Sequence, residues 1–265
     1  QQTTTDKTAE EIHQLGLSEV ARIRAEMDAV VQKSGFKGDR KAYIAMLRTD
    51  PQYYAKTGEE LMLRAGALAK TIDGHLPKLF GKLPRLPYTV LPIPDDQAAG
   101  NTTAYYEPGA IAAGRAGVYR VNLTELDQRP LFELPALGVH EAVPGHHLQI
   151  ALQQELELHD FRKHGAFFTA FVEGWGLYSE RLGIEMGLYD TPEKDMGRLS
   201  YEMWRACRLV VDTGMHAKGW TKQQAVDFML ENTALSAANV DAEVNRYITW
   251  PGQALAYKIG ELKFR

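Results

Sequence analysis

Apolar residues recur at helical spacing through the first eighty positions. Val20, Ile23, Met27 and Val30 or Val31 share one face, and Thr8 with Glu11 has the spacing of a capping box. The pattern predicts a break around Leu15-Gly16-Leu17 with a restart at Ser18, then a helix capped by Asp39 that ends near Asp50-Pro51. Thr57 with Glu60 reads as a second capping box, opening a helix to about Asp73. From 83 the texture changes. Five prolines between 84 and 108 rule out long helices, while 88–91 and 117–123 have the β-branched and aromatic character of strands, with 104–106 a weaker third. After Pro135 the chain turns helical again. A helix runs to about Gln154, others span 166–186 and 192–217, Thr221 with Gln224 boxes a further one, and helices start near Asn239 and Gly252. The fold class is therefore mainly α with a small β-sheet (α+β). It divides into helical support over 1–82, sheet and loops over 83–134, and a helical core over 135–265.

Composition narrows the class without naming a function. The 265 residues are 45% hydrophobic, enough for a sizeable core in one catalytic region. A net charge of −4, with acids and bases interspersed, leaves no nucleic-acid footprint. No apolar run is long enough for a membrane-spanning segment, and no basic-then-apolar leader opens the chain. Cys207, the single cysteine, reads as a buried small hydrophobe and does not choose between cytosol and periplasm. Gln at position 1 and a helical pattern running into Arg265 suggest part of a longer protein. Nothing in the pattern decides whether copies self-associate.

Chemistry concentrates in Gly138-Val-His-Glu-Ala-Val-Pro-Gly-His-His-Leu-Gln-Ile150. Three imidazoles and a carboxylate within eight residues suit Zn²⁺, whose catalytic sites use three protein ligands and an open position for water. His140 is a ligand candidate and Glu141 the adjacent general base, as in His-Glu-x-x-His helices. The spacing departs from that motif, because the next histidines lie six and seven residues on. An ideal helix would turn His146 away from His140 and carry His147 about 10.5 Å along the axis. Pro144 prevents an ideal helix, and a kink followed by Gly145 would bring His146 back. His146 is favoured, with His147 the alternative. Polar surface at a helix start is the plain reading.

A carboxylate must complete the set. Glu173 stands among Phe167, Phe168, Phe171, Val172 and Trp175, where an unpaired charge is expensive. Glu180, seven residues on, shares its face and would orient a ligand histidine through the other ring nitrogen. Arg208, Asp212 and His216 align at spacings of four. They form either an ion-pair ladder or a set in which Asp212 supports the site and His216 or an arginine meets an oxyanion or a substrate carboxylate. Arg246 and Tyr247 before Trp250-Pro-Gly-Gln253, with Tyr257 and Lys258 beyond, form a cluster that offers an arginine to grip a carboxylate and a tyrosine hydroxyl for an oxyanion. Packing is the plain reading of each taken singly.

Four segments together resemble the bacterial family catalogued as domain of unknown function 885: His140-Glu-Ala-Val-Pro-Gly-His-His147, Glu173-Gly-Trp-Gly-Leu-Tyr-Ser-Glu180, Arg208-Leu-Val-Val-Asp-Thr-Gly-Met-His216 and Arg246-Tyr-Ile-Thr-Trp-Pro-Gly-Gln253. They span most of the second half of the chain, with a looser match before it. The resemblance implies a zincin-like helical metallopeptidase, similar in plan to carboxypeptidases of the Taq type and to angiotensin-converting enzyme. Those relatives have His-Glu-x-Gly-His, and aligning the Gly-His pair selects His146. It further implies missing N- and C-terminal parts and, in many members, an export signal, so the compartment is periplasmic, secreted or cytoplasmic. The expected function is a zinc-dependent exopeptidase of carboxypeptidase type acting on short peptides. Zn²⁺ would sit on His140, His146 and Glu173, with Glu141 as base and Tyr247, Arg246 and His216 on the substrate. A metal-dependent amidase and a non-catalytic binding protein are the alternatives.

Overall fold

The N-terminal helix forms as its caps predict. Thr8 and Glu11 exchange both hydrogen bonds of the capping box at the start of α1 (Ala9–Ser34), and Asp39 caps α2 (Arg40–Thr49). The computed structural model describes residues 2–265, with the His164 side chain outside that description. The expected break at Ser18 does not occur. Its hydroxyl donates back to the Leu15 carbonyl within a continuous helix. Gly16 is there for contact: a Cβ at that position would stand 2.7 Å from Leu209 Cβ. The next helix, α3 (Gly58–Leu79), runs past Asp73 with Pro77 in its last turn. Its box is half-formed, since Thr57 accepts from Glu60 N while the Glu60 carboxylate takes the Lys56 amide.

Three short strands make one sheet in the order β1 (Tyr88–Pro92), β3 (Gly117–Val121), β2 (Ala104–Glu107). β1 pairs parallel and β2 antiparallel to β3, with Tyr106 opposite Tyr119. A single turn, α4 (Asp95–Ala98), joins β1 to β2. The outer edge of β2 is left unpaired by the sheet, so half of its main-chain groups face away from β3.

The remaining helices are α5 (Leu134–Glu141), α6 (His146–Glu155), α7 (Thr169–Leu182), α8 (Pro192–Lys218), α9 (Lys222–Asn232), α10 (Ala237–Thr249) and α11 (Ala256–Phe264). One long helix expected up to Gln154 is thus two, α5 and α6. The Asn239 start is likewise corrected, because Ser236 caps α10 and Asn239 supplies the amide it accepts from. The last helix begins at Ala256 rather than Gly252.

α8 is the axis of the core. Ala206, Cys207, Val210 and Val211 are fully buried in one core with Ile23 and Met27 of α1, and Leu209 is fully buried with Ile12 of α1 and Leu255 and Ile259. An ionic cluster ties α1, α8 and α11: Lys258 Nζ, fully buried, lies 2.9 Å from Glu202, 3.0 Å from Glu19 and 2.8 Å from Glu261. A buried ammonium is tolerable only with such pairing. Among the described residues, no helix is long and apolar enough to cross a membrane.

Candidate metal centre

The helix carrying His140 and Glu141 cannot continue through Pro144, which has no N–H for the His140 carbonyl. Ala142 leaves the helical region, and the Gly145 amide donates to the Val139 carbonyl at 2.9 Å. Those residues are six apart where an uninterrupted helix bonds four apart, so two residues are looped out and α6 resumes in register. Position 146 therefore stands where the fourth residue after His140 would. Gly145 is required at this joint, since a Cβ would come 1.9 Å from the His140 carbonyl oxygen. The two imidazoles end with centroids 4.8 Å apart and planes at 90°.

From α7, Glu173 Oε2 approaches His146 Nε2 to 3.5 Å and His140 Nε2 to 3.7 Å. The three ligand atoms lie within 4.8 Å of one another. The carboxylate contacts are too long for good hydrogen bonds. They are close to the roughly 3.3 Å edge of a tetrahedron whose bonds to a central ion measure about 2.0–2.1 Å. One turn after Glu173 comes Gly176, where a Cβ would sit 2.8 Å from His140 Nε2 and 3.1 Å from His146 Cε1. Any side chain there would fill the space between the ligands. The donor set and this vacant volume fit a divalent ion.

Electrostatics follow the same geometry. Burial opposes charge on His140, but Glu173 and Glu180 outweigh it and carry the imidazole up to about 9. Burial would raise Glu173 too, yet the two imidazoles beside it hold it well below the usual carboxylate range. Glu180 Oε1 lies 2.7 Å from His140 Nδ1. A carboxylate can only accept, so Nδ1 carries a proton, and Nε2, toward Glu173 and His146, is the nitrogen that would give up its proton to a metal ion. Burial pushes the Glu141 carboxyl up, against the neighbouring histidines. Among the described residues Glu141 has no hydrogen-bond partner.

His147 is not placed for ligation. Its Nε2–H donates to the Leu86 carbonyl and its Nδ1 accepts from the Tyr106 hydroxyl, each at 2.9 Å. It is a buried strut between α6 and the sheet. Tyr247 is also turned elsewhere, its hydroxyl accepting from Trp204 Nε1 and Arg208 Nε at 2.8 Å each. The Asp212 carboxylate accepts from the Gly252 amide and His216 donates to the Tyr247 carbonyl, so both latch the α10–α11 connection to α8. Glu173 is not embedded among phenylalanines either. Phe167, Phe168 and Phe171 are more than half exposed and flank a separate apolar groove of about 930 Å³ that holds no ligand residue.

The ligands open on a cavity of about 310 Å³ lined by Glu141, Arg205, Arg208, Arg246, Tyr257, the loop residues Thr102 and Thr103 and the edge strand β2 from Ala104 to Tyr106. Tyr257, whose ring stacks 6.4 Å from that of His140, lines this cavity, and Tyr247 does not. The sequence placed Tyr257 in the same C-terminal cluster as Tyr247, but its spacing is silent on which of the two faces the cavity. Gly176 was equally silent, although its spacing of three from Glu173 could have flagged it.

A profile of the family described as "Bacterial protein of unknown function (DUF885)" matches residues 1–265. No curated protein matches the chain. A crystal structure described as "the putative lipoprotein from Colwellia psychrerythraea" is 38% identical, with a TM-score of 0.93 over 98% of this chain and 45% of its own. A second solved structure, "a putative lipoprotein of unknown function from Shewanella oneidensis", shares the fold at 20% identity, with a TM-score of 0.80 over 98% of this chain and 50% of its own. The chain thus spans about half the length of these structures.

Proposed function

The chain belongs to the bacterial DUF885 family, and from that footing we propose that it is a zinc-dependent, zincin-like peptidase acting on short peptides near one end, in the manner of a carboxypeptidase. The convergence of His140 Nε2, His146 Nε2 and Glu173 Oε2 carries the reading. These atoms would hold Zn²⁺ with one position left for water. When bound, the ion brings the pKa of water toward about 7 and polarises a carbonyl.

The protein's own groups do the rest. Glu141, beside His140 in the chain and lining the same cavity, takes a proton from the attacking water and passes it to the leaving amine. Glu180 fixes the His140 ring. The outer edge of β2, from Ala104 to Tyr106, would offer main-chain donors and acceptors to an extended backbone. Tyr257 supplies a hydroxyl-bearing wall where an oxyanion would form.

A metal-dependent amidase would share these groups, but an edge strand along the cavity favours a peptide. A binding protein without turnover leaves no use for Glu141, a half-buried carboxyl without a hydrogen-bond partner among the described residues. The lipoprotein description of the 38%-identical structure supports a place at the cell envelope.

A mixed peptide library tests the reading. Zinc-loaded protein should release products, and a chelator should stop it. Glu141→Gln should keep its metal and lose about 10²–10⁴-fold in turnover. No cleavage of any peptide would remove the peptidase reading, and unchanged turnover in the variant would remove the base.

A further inference from the structure

Three arginines line the cavity beside the ligand cluster, and only two carboxylates answer them. Glu180 Oε1 lies 3.4 Å from Arg205. Glu243 Oε2 accepts from Arg208 Nη2 at 2.8 Å and from Arg246 Nη2 at 2.9 Å, one acid between two bases. A positive charge is left over beside Glu243. Arg246 is partly exposed and gives its other terminal nitrogen to Gln253. Arg208 is 2% exposed. Its guanidinium packs against the rings of Trp204 and Tyr257, 4.4 and 4.3 Å from their centroids. Nε is used by Tyr247 and Nη2 by Glu243. Nη1 is buried and has no partner among the described residues.

Leaving a donor of a buried charged group unmade is costly, and a fixed guanidinium edge is the shape that recognises a planar carboxylate. We propose that Arg208 Nη1 holds the terminal carboxylate of the substrate, with Arg246 adding charge. This rests on the peptidase reading and deepens it by assigning the end that is cut. Arg208 and His140 both pack near the Tyr257 ring, at 4.3 and 6.4 Å from its centroid, which keeps them within about 11 Å of each other. At about 3.3–3.6 Å of extended chain per residue, at most about three residues fit between the scissile carbonyl and the guanidinium. The leaving fragment is accordingly a single amino acid or a di- or tripeptide. Neither His216 nor Tyr247 shares the task.

Calorimetry on zinc-loaded Glu141→Gln protein tests this with three peptides: a free acid, its C-terminal amide, and an amide ending in Asp. The free acid should bind about ten- to a hundredfold tighter than the plain amide, and the Asp amide should not regain that margin. Arg208→Gln should erase the margin by weakening the acid alone, and Arg208→Lys should keep part of it. Equal binding of acid and amide overturns the assignment even if the variants fail to fold, because that comparison leaves Arg208 intact. So does a margin that survives Arg208→Gln, or an Asp amide that binds as the acid does. Cleavage without preference for the acid removes Arg208 and spares the peptidase. Peptides neither bound nor cut remove both.

Discussion

His140 Nδ1 and Glu180 Oε1 are 2.7 Å apart in the interior, joining α5 to α7 directly behind the ligand cluster. Because the carboxylate accepts the Nδ1 proton, the ring is locked with Nε2 toward Glu173 and His146. Arg205 Nη2 approaches the same Glu180 oxygen at 3.4 Å. Glu180→Gln should therefore weaken zinc binding by about 10–100-fold without unfolding the chain. Competitive zinc titration alongside circular dichroism checks it; unchanged affinity would reduce Glu180 to packing.

Gly176→Ala separates site from scaffold. Alanine in the middle of α7 gains about 0.5–1 kcal/mol of helix propensity, but its Cβ would intrude 2.8 Å from His140 Nε2. The variant should melt no lower than the wild type while losing at least about tenfold in zinc affinity. Full affinity in a folded variant would show that the ligands do not use that space.

Much of the scaffold was legible because its signals are local. Thr8, Asp39, Thr57 and Thr221 cap helices by hydrogen bonds within three residues, and β1 and β3 announced themselves in β-branched and aromatic runs, β2 more weakly in its two tyrosines. The bend was half-legible. Pro144 signals a break, but that two residues loop out depends on the Gly145–Val139 hydrogen bond. What failed was what tertiary contact decides. Gly16 looks like a helix breaker until α8 packs against it. Which tyrosine of the C-terminal stretch faces the cavity depends on how α10 and α11 pack on α8. Spacing put Arg208, Asp212 and His216 on one face correctly, yet only Arg208 lines the cavity.

Asp212 gives a prediction about pH. Burial raises its carboxyl from the ordinary 3.8 to about 6, against the lowering effect of the Gly252 amide. An acid whose folded pKa lies above its unfolded value holds more protons when folded. Stability therefore falls as pH rises from 3.8 to about 6 and stays lower above that. Asp212→Asn keeps an acceptor for Gly252 and removes this titration. Relative to wild type it should gain stability progressively across that window, by about 1–3 kcal/mol, as read by urea unfolding at several pH values. A difference independent of pH would contradict the assignment.

The central claim is tested most directly by diffraction from zinc-soaked crystals at the zinc edge. An anomalous peak should lie about 2.0–2.2 Å from His140 Nε2, His146 Nε2 and a Glu173 oxygen, and should vanish in His140→Ala. No peak among these atoms at saturating zinc, or one ligated through His147 instead, would contradict it.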